Sequence, residues 1–167
     1  QSDEVMAYSG VVSIFDAHIL LFPVCSMAGP VWVTTPKRLQ EAGFSLQQCG
    51  ADKDGETDWR PPKTWEMEEV FLTRERRERL NLGWLMVRAA GRVAVEAPAK
   101  WGTEERWQAV KNRLILLQES LFSHVVNSNL EVRTSVAIDP ERGAAVEGAL
   151  FTYEAIPRAA FLTSEVV

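Results

Sequence analysis

The chain has 167 residues, 46% of them apolar and 25% charged, with a net charge of −5. That length supports one sizeable core, a single domain over residues 1–167, and that balance is the composition of a folded chain, not a disordered one. The acidic sum excludes a protein coated in basic residues for indiscriminate nucleic-acid binding, and two separated cysteines, Cys25 and Cys49, exclude a disulfide framework and point to a reducing cytoplasm.

Charge is unevenly spread. Residues 70–113 carry ten basic against five acidic side chains, and Arg outnumbers Lys 13 to 5 over the chain. Guanidinium forks suit phosphate contacts and stacking on bases better than ammonium groups do. No apolar run reaches the length of a membrane span; the longest, residues 17–24, is broken by His18 and Pro23. A membrane partner is therefore not expected.

The chain begins with Gln1 and passes almost at once into residues 11–24, which read as a strand. Phe15, Ala17, Ile19 and Leu21 alternate, and the second half is nearly continuous, as in the middle of a sheet. Residues 25–30, CSMAGP, form a loop of small residues where backbone can lie close to a partner. Residues 31–35 resume extended structure. Pro36 suits the first helical turn, with Thr34 or Thr35 as cap, and a short helix through Ala42 would stop at Gly43.

Residues 47–63 are the most loop-like part, and residues 65–72 fit a strand. The charged run at 73–79 fits a solvated helix start, its Arg residues diluted by Glu75 and Glu78. Residues 82–95 leave helix and strand open. Thr103 with Glu104 and Glu105 reads as a helix start. Trp107, Val110, Leu114, Leu117 and Leu121 allow one long amphipathic helix, or a helix ending near Asn112, a buried strand over 113–117, and a second helix from Glu119.

Residues 131–158 read as a hairpin. Val132, Val136 and Ile138 face one way and Arg133 and Ser135 the other. Asp139, Pro140 and Gly143 supply turn chemistry, Gly148 opens the return strand, and Pro157 ends it.

Asp16 and His18 lie two apart on one strand and share a face, a conceivable acid/base or metal pair, although a histidine among apolar neighbours is more often a core residue. Ser26 lacks the Gly-x-Ser-x-Gly elbow of a hydrolase. No phosphate loop, dinucleotide fingerprint or paired zinc spacing occurs. Ser26 and the amides through Gly29 are candidates to meet a phosphate. Lys37 and Arg38 are others: cations at a helix start oppose its dipole, which favours a charged partner. Arg133, Arg142 and Arg158 could reach phosphates from the hairpin.

Three blocks in order resemble the RAMP superfamily of CRISPR proteins: FDAHILLFPVCSMAGPVWVTTP at 15–36, RLILLQESLFSHVVNSN at 113–129, and the 131–158 segment. They are most similar to the repeated backbone subunit of type III effector complexes, and the middle block favours the strand-containing parse of 113–117. Residues 43–103 carry no block of this kind. The resemblance implies an α+β, RRM-like (ferredoxin-type) modified palm with a β-hairpin. It implies guide RNA, target RNA and other RAMP subunits as partners, with the hairpin pushing between bases of the guide–target duplex. In several members an Asp on an early loop cleaves target RNA with a divalent metal such as Mg. Here the family's first strand, its glycine-rich helix entry and that Asp loop have no counterpart, since Asp3 lacks their context. The expectation is a later part of the domain, its first part being another polypeptide, a removed segment or an evolutionary loss, with no cofactor and no catalytic residue of its own. The basic residues that relatives carry in the loop before the Trp are replaced by Cys25 and Ala28. The alternative is a non-catalytic scaffolding domain within a multisubunit assembly.

Overall fold

Residues 114–117, LILL, are buried without exception, and a strand buried on both faces needs a packing layer on each side. The computed structural model describes residues 10–49, 58–74, 78–138, 141–143 and 150–167. In chain order its first elements are β1 (His18–Ser26), β2 (Gly29–Thr34), α1 (Pro36–Glu41), β3 (Ser45–Gln48), β4 (Glu69–Leu72), β5 (Arg79–Leu82) and β6 (Leu85–Glu96). Then come α2 (Ala99–Gly102), α3 (Glu105–Val110), a 3-10 turn at Lys111–Arg113, β7 (Leu114–Leu116) and α4 (Glu119–Ser128). The chain ends in β8 (Glu131–Ser135), β9 (Phe151–Ala155) and β10 (Phe161–Thr163).

Among the described residues eight strands form one sheet in the order β10-β1-β2-β7-β4-β6-β3, with β5 also paired to β6, while β8 and β9 make a separate two-stranded sheet. The fold is mixed α+β. β2 and β7 run parallel, in register from Trp32↔Leu114 to Thr34↔Leu116. β6 is the long spine of the far side: its first residues pair with β5, its middle with β4 and its last with β3. The register slips between Val70 and Phe71, opposite Ala89 and Gly91, and a side chain at Gly91 would meet the Phe71 ring at 3.2 Å.

Successive residues of the central strands serve opposite cores. Ile115 and Leu117 join Phe22, Val33, Val70 and Val87 under α4, which contributes Leu121, Phe122, Val125 and Val126. Leu114 and Leu116 join Leu21, Leu39, Phe71, Trp107 and Val110 on the other face, beneath α1 and α3. Rings close that second layer edge-to-face: Phe44 against Trp101 and Trp107, and Trp59 against Trp65 and Phe71.

Several expectations hold. Thr35 caps α1, accepting from the Arg38 amide at 3.4 Å. Pro36 opens the helix, and Gly43 follows it at φ +83. The long helical reading of 105–121 gives way to helix, strand and helix. Residues 82–95 resolve largely as strand.

Others are corrected. Residues 11–17 are exposed and lie outside β1, joined to the sheet's edge by an Ile14–Val166 bridge. The loop at 25–30 shrinks to a turn at Met27 and Ala28, because both strands run on. Thr103 does not cap α3; it closes α2, and Glu104 precedes α3 without a capping side chain. No helix begins at Thr73, whose amide donates to the Leu114 carbonyl at 3.1 Å and whose hydroxyl accepts from the Leu114 amide at 3.0 Å. β8 ends at Ser135, short of the expected Ile138, and Asp139, Pro140 and Gly148 lie outside the described residues.

Leu116 is fully buried at the centre of the sheet. Leu116→Ala is expected to cost about 2–5 kcal/mol, read from urea unfolding; a loss below about 1 kcal/mol would contradict the central placement of β7.

Candidate nucleic-acid interface

The sequence candidates fall in three places. Ser26 and Gly29 close the β1–β2 turn. The Ser26 hydroxyl donates to the Gly29 carbonyl at 2.7 Å and accepts from the Ala28 amide at 3.1 Å. The Met27 amide donates to Asn81 Oδ1 at 2.6 Å, and the Gly83 amide to the Cys25 carbonyl at 2.9 Å. The Met27 and Ala28 amides are thus committed to Asn81 and Ser26, and the Met27 amide and Cys25 carbonyl tie this turn to β5 and the β5–β6 turn.

Lys37 and Arg38 follow the other end of β2, about 18 Å of strand away. Both line an open groove of about 930 Å³ that also holds Asp16, His18, Glu41, Glu119 and Glu165. Its acids outnumber its cations, so the groove as a whole does not favour phosphate. Arg38 is a clamp. One Nη donates to the Ile19 carbonyl at 3.0 Å, the other meets Glu119 Oε1 at 2.5 Å, and the guanidinium sits 4.4 Å from the centre of the Phe122 ring. It therefore ties α1 to β1 and α4, while Lys37 stays exposed, 3.8 Å from Glu41.

Arg133, Arg142 and Arg158 belong to the hairpin. Arg133 donates Nε and Nη2 to Glu131 Oε2, at 3.0 and 2.6 Å. That hydrogen bond, chiefly, holds the Glu131 carboxyl below the usual carboxylate range, with the charge of Arg133 and the Arg158 backbone and charge adding to it; Arg133 is raised in turn, first by its bond to Glu131. Arg142 is exposed beside Gly143, which adopts φ +62. Arg158 lies in a turn closed from Ala160 N to Pro157 O, and Trp32 Nε1 donates to the Ala159 carbonyl at 2.8 Å. That bond moors the hairpin's exit to β2.

Asp16 and His18 line the groove together. Among the described residues no group of three or more His, Cys, Asp or Glu could hold a metal ion. Two features escaped the sequence reading. Trp84, at the β5–β6 turn, is 98% exposed, near-total for the largest apolar side chain. Phe151 and Tyr153 lie exposed on β9 with ring centres 6.0 Å apart. The sequence signal for the second was an aromatic pair at i and i+2 on a strand; for the first there was only a Gly-Trp turn.

The family model described as the RAMP superfamily matches residues 4–166. This chain belongs to the RAMP superfamily. Among curated proteins, the RAMP chain is 24% identical over 155 residues to the CRISPR system Cmr endoribonuclease Cmr4 of Pyrococcus furiosus, covering 89% of this chain and 52% of that protein. It thus spans about half the length of that relative. Among solved structures it resembles a chain of the Type III-B Cmr-beta complex bound to cognate target RNA, with a TM-score of 0.60 at 15% identity, over 99% of this chain and 59% of that one. Oligomeric Cmr4 from Pyrococcus furiosus gives 0.52 at 18% identity, over 95% and 57%. These likenesses establish the fold.

Arg38→Ala is expected to lower the melting temperature by several degrees, because it removes ties to two other elements, while Lys37→Ala leaves it unchanged; equal melting points would show that the clamp contributes nothing. Because the Glu131 pKa is depressed in the folded state, its contribution is fully present above the unfolded value near 4.3 and fades as pH falls through the folded value. An NMR titration of the Glu131 carboxyl should show a low midpoint that returns to the ordinary range in Arg133→Ala.

Proposed function

We propose that this chain is an RNA-binding backbone subunit of a type III CRISPR effector, holding guide RNA and the guide–target duplex by backbone and shape, so that base pairing supplies the specificity. The match of the RAMP model along nearly the whole chain carries this reading, and the likeness to a Cmr complex bound to target RNA supports it. Its setting would be the cytoplasm; among the described residues no helix is long and apolar enough to cross a membrane.

On this reading the sheet is a modified RRM-type palm. A ferredoxin-type β-α-β-β-α-β sheet places its third and fourth strands parallel, with the first between them. Here the β1–β2 hairpin is followed by β7, and β2 lies directly and parallel against it. That seam is where a first strand from another segment or chain would enter. Neighbouring RAMP subunits would be further partners. Target RNA cleavage is an activity of the assembled complex; a divalent metal such as Mg would polarise the phosphate there. The donor set described in this chain does not fit such a metal, and we assign no catalytic step to it.

Exposed Lys37, Arg142 and Arg158 are the phosphate contacts this reading favours over Arg38. Binding of single-stranded RNA, followed by fluorescence anisotropy, should weaken as salt rises, and each of Lys37→Ala and Arg158→Ala should reduce the log–log slope by about 0.7. A scaffold without RNA contacts would show no binding and no slope. The fully exposed Trp84 favours that second reading: on a locked turn it suits a protein contact, and Trp84→Ala would then abolish assembly with other subunits.

A further inference from the structure

Four residues of the core under α4 come together at one end of the sheet: Val31 near the start of β2, Leu72 at the end of β4, Leu80 on β5 and Ile115 on β7. They line a crevice of about 50 Å³ beside the β1–β2 turn. All four are buried in the protein, and together they give the crevice an apolar floor. Arg74 and Arg113, both exposed, complete its wall. Among the described residues no carboxylate lines the crevice, and no ion pair engages either guanidinium. Arg38, Arg88 and Arg133, by contrast, each have a carboxylate in reach.

What would occupy the crevice follows from its size and its charge. One water-sized sphere fills about 10–15 Å³, so the volume takes roughly four heavy atoms. That is one branched aliphatic side chain; an aromatic ring or a nucleic-acid base is too large. Two guanidinium forks beside an apolar floor select an anion that carries an aliphatic group, and a carboxylate meets such a fork through two parallel hydrogen bonds. A phosphate would use the forks and leave the floor bare. The surrounding stretch, residues 70–113, carries ten basic against five acidic side chains, so an acidic segment is drawn here although the chain as a whole is acidic.

We propose that this crevice docks a short acidic peptide segment of a partner protein. One leucine-sized side chain of the segment sits on Val31, Leu72, Leu80 and Ile115, and its flanking carboxylates meet Arg74 and Arg113. The contact goes beyond the RNA-binding reading and does not depend on it.

The test uses the whole chain and a fluorescein-labelled pentapeptide with one leucine between two pairs of aspartates, followed by fluorescence anisotropy. Replacing the peptide's leucine by alanine should weaken binding about tenfold, since less aliphatic surface then leaves water. Replacing it by phenylalanine should weaken binding as well. Arg74→Ala and Arg113→Ala should each cost about threefold, and the double variant should lose most of the salt dependence. Ala28→Leu, which fills the crevice from the turn, should abolish the preference for leucine over alanine. The three altered side chains are exposed or half-buried, so circular dichroism of each variant should match the wild type. Equal binding of the leucine and alanine peptides would overturn the proposal, because charge alone would then be read. Unchanged affinity in the arginine double variant, or no peptide binding at low salt, would overturn it too. A single-stranded oligouridylate that displaces the peptide and itself loses affinity in both arginine variants would overturn it in favour of an RNA contact. None of these failures removes the RNA-binding reading, which has its own salt-slope test.

Discussion

Burial of β7 on both faces is the constraint from which the rest follows. Leu114 and Leu116 project into one core and Ile115 and Leu117 into the other, so a helical layer is needed above and below a strand of three residues. α4 supplies one, rising from the chain immediately after β7; α1 and α3 supply the other. The strand can sit centrally because its neighbours on either side, β2 and β4, are also buried runs. Its Leu114 end is pinned by the hydroxyl and amide of Thr73. Each of these contacts removes apolar surface from water or satisfies a backbone group that would otherwise be orphaned.

The same constraint explains why Arg38 is not a free cation. With α4 packed on one face and α1 on the other, the sheet margin between them holds a polar gap. A long side chain with a charged head fills it: its guanidinium lies over the Phe122 ring while its donors reach Ile19 and Glu119. Lys37, one position earlier, points to solvent. Adjacent helix residues face different surroundings, so a pair that reads as one basic spot in the sequence divides into a structural group and an exposed one.

This division marks what was legible. Turn and cap signals were local and survived: the Thr35 hydroxyl caps an amide three residues on, and Pro36 and Gly43 act through their own backbone. Periodicity failed where tertiary partners decided. Residues 105–121 satisfy a helical repeat, yet LILL is worth more as a doubly buried strand, and the helix is cut on either side of it. At Thr73 the charged run offered no sign that the residue is bound to Leu114, forty-one residues on; residues 75–77 of that run lie outside the described residues. The candidate cations were chosen by type, and type says nothing of which have a carboxylate in reach. Glu131 two residues before Arg133 was visible; that the strand would place both on one face at bonding distance followed only once the register was known.

On the proposed reading, RNA recognition by this surface would be a matter of short-range shape more than of long-range charge. The chain is acidic overall, its groove carries more carboxylates than cations, and Arg38 and Arg133 are bound to carboxylates within the molecule. What remains exposed is a few scattered cations, a locked turn bearing Trp84, and a hairpin face of rings and a neutralised guanidinium. An RNA partner would meet limited long-range attraction on approach and would depend on short-range fit once in place. The rigidity of the two turns matters for that reason. Met27, Asn81, Gly83 and Cys25 hold one turn against the other, and Trp32 holds the hairpin's exit to β2. Surfaces fixed in this way lose little conformational freedom on binding, which is the advantage left to a protein that does not rely on charge.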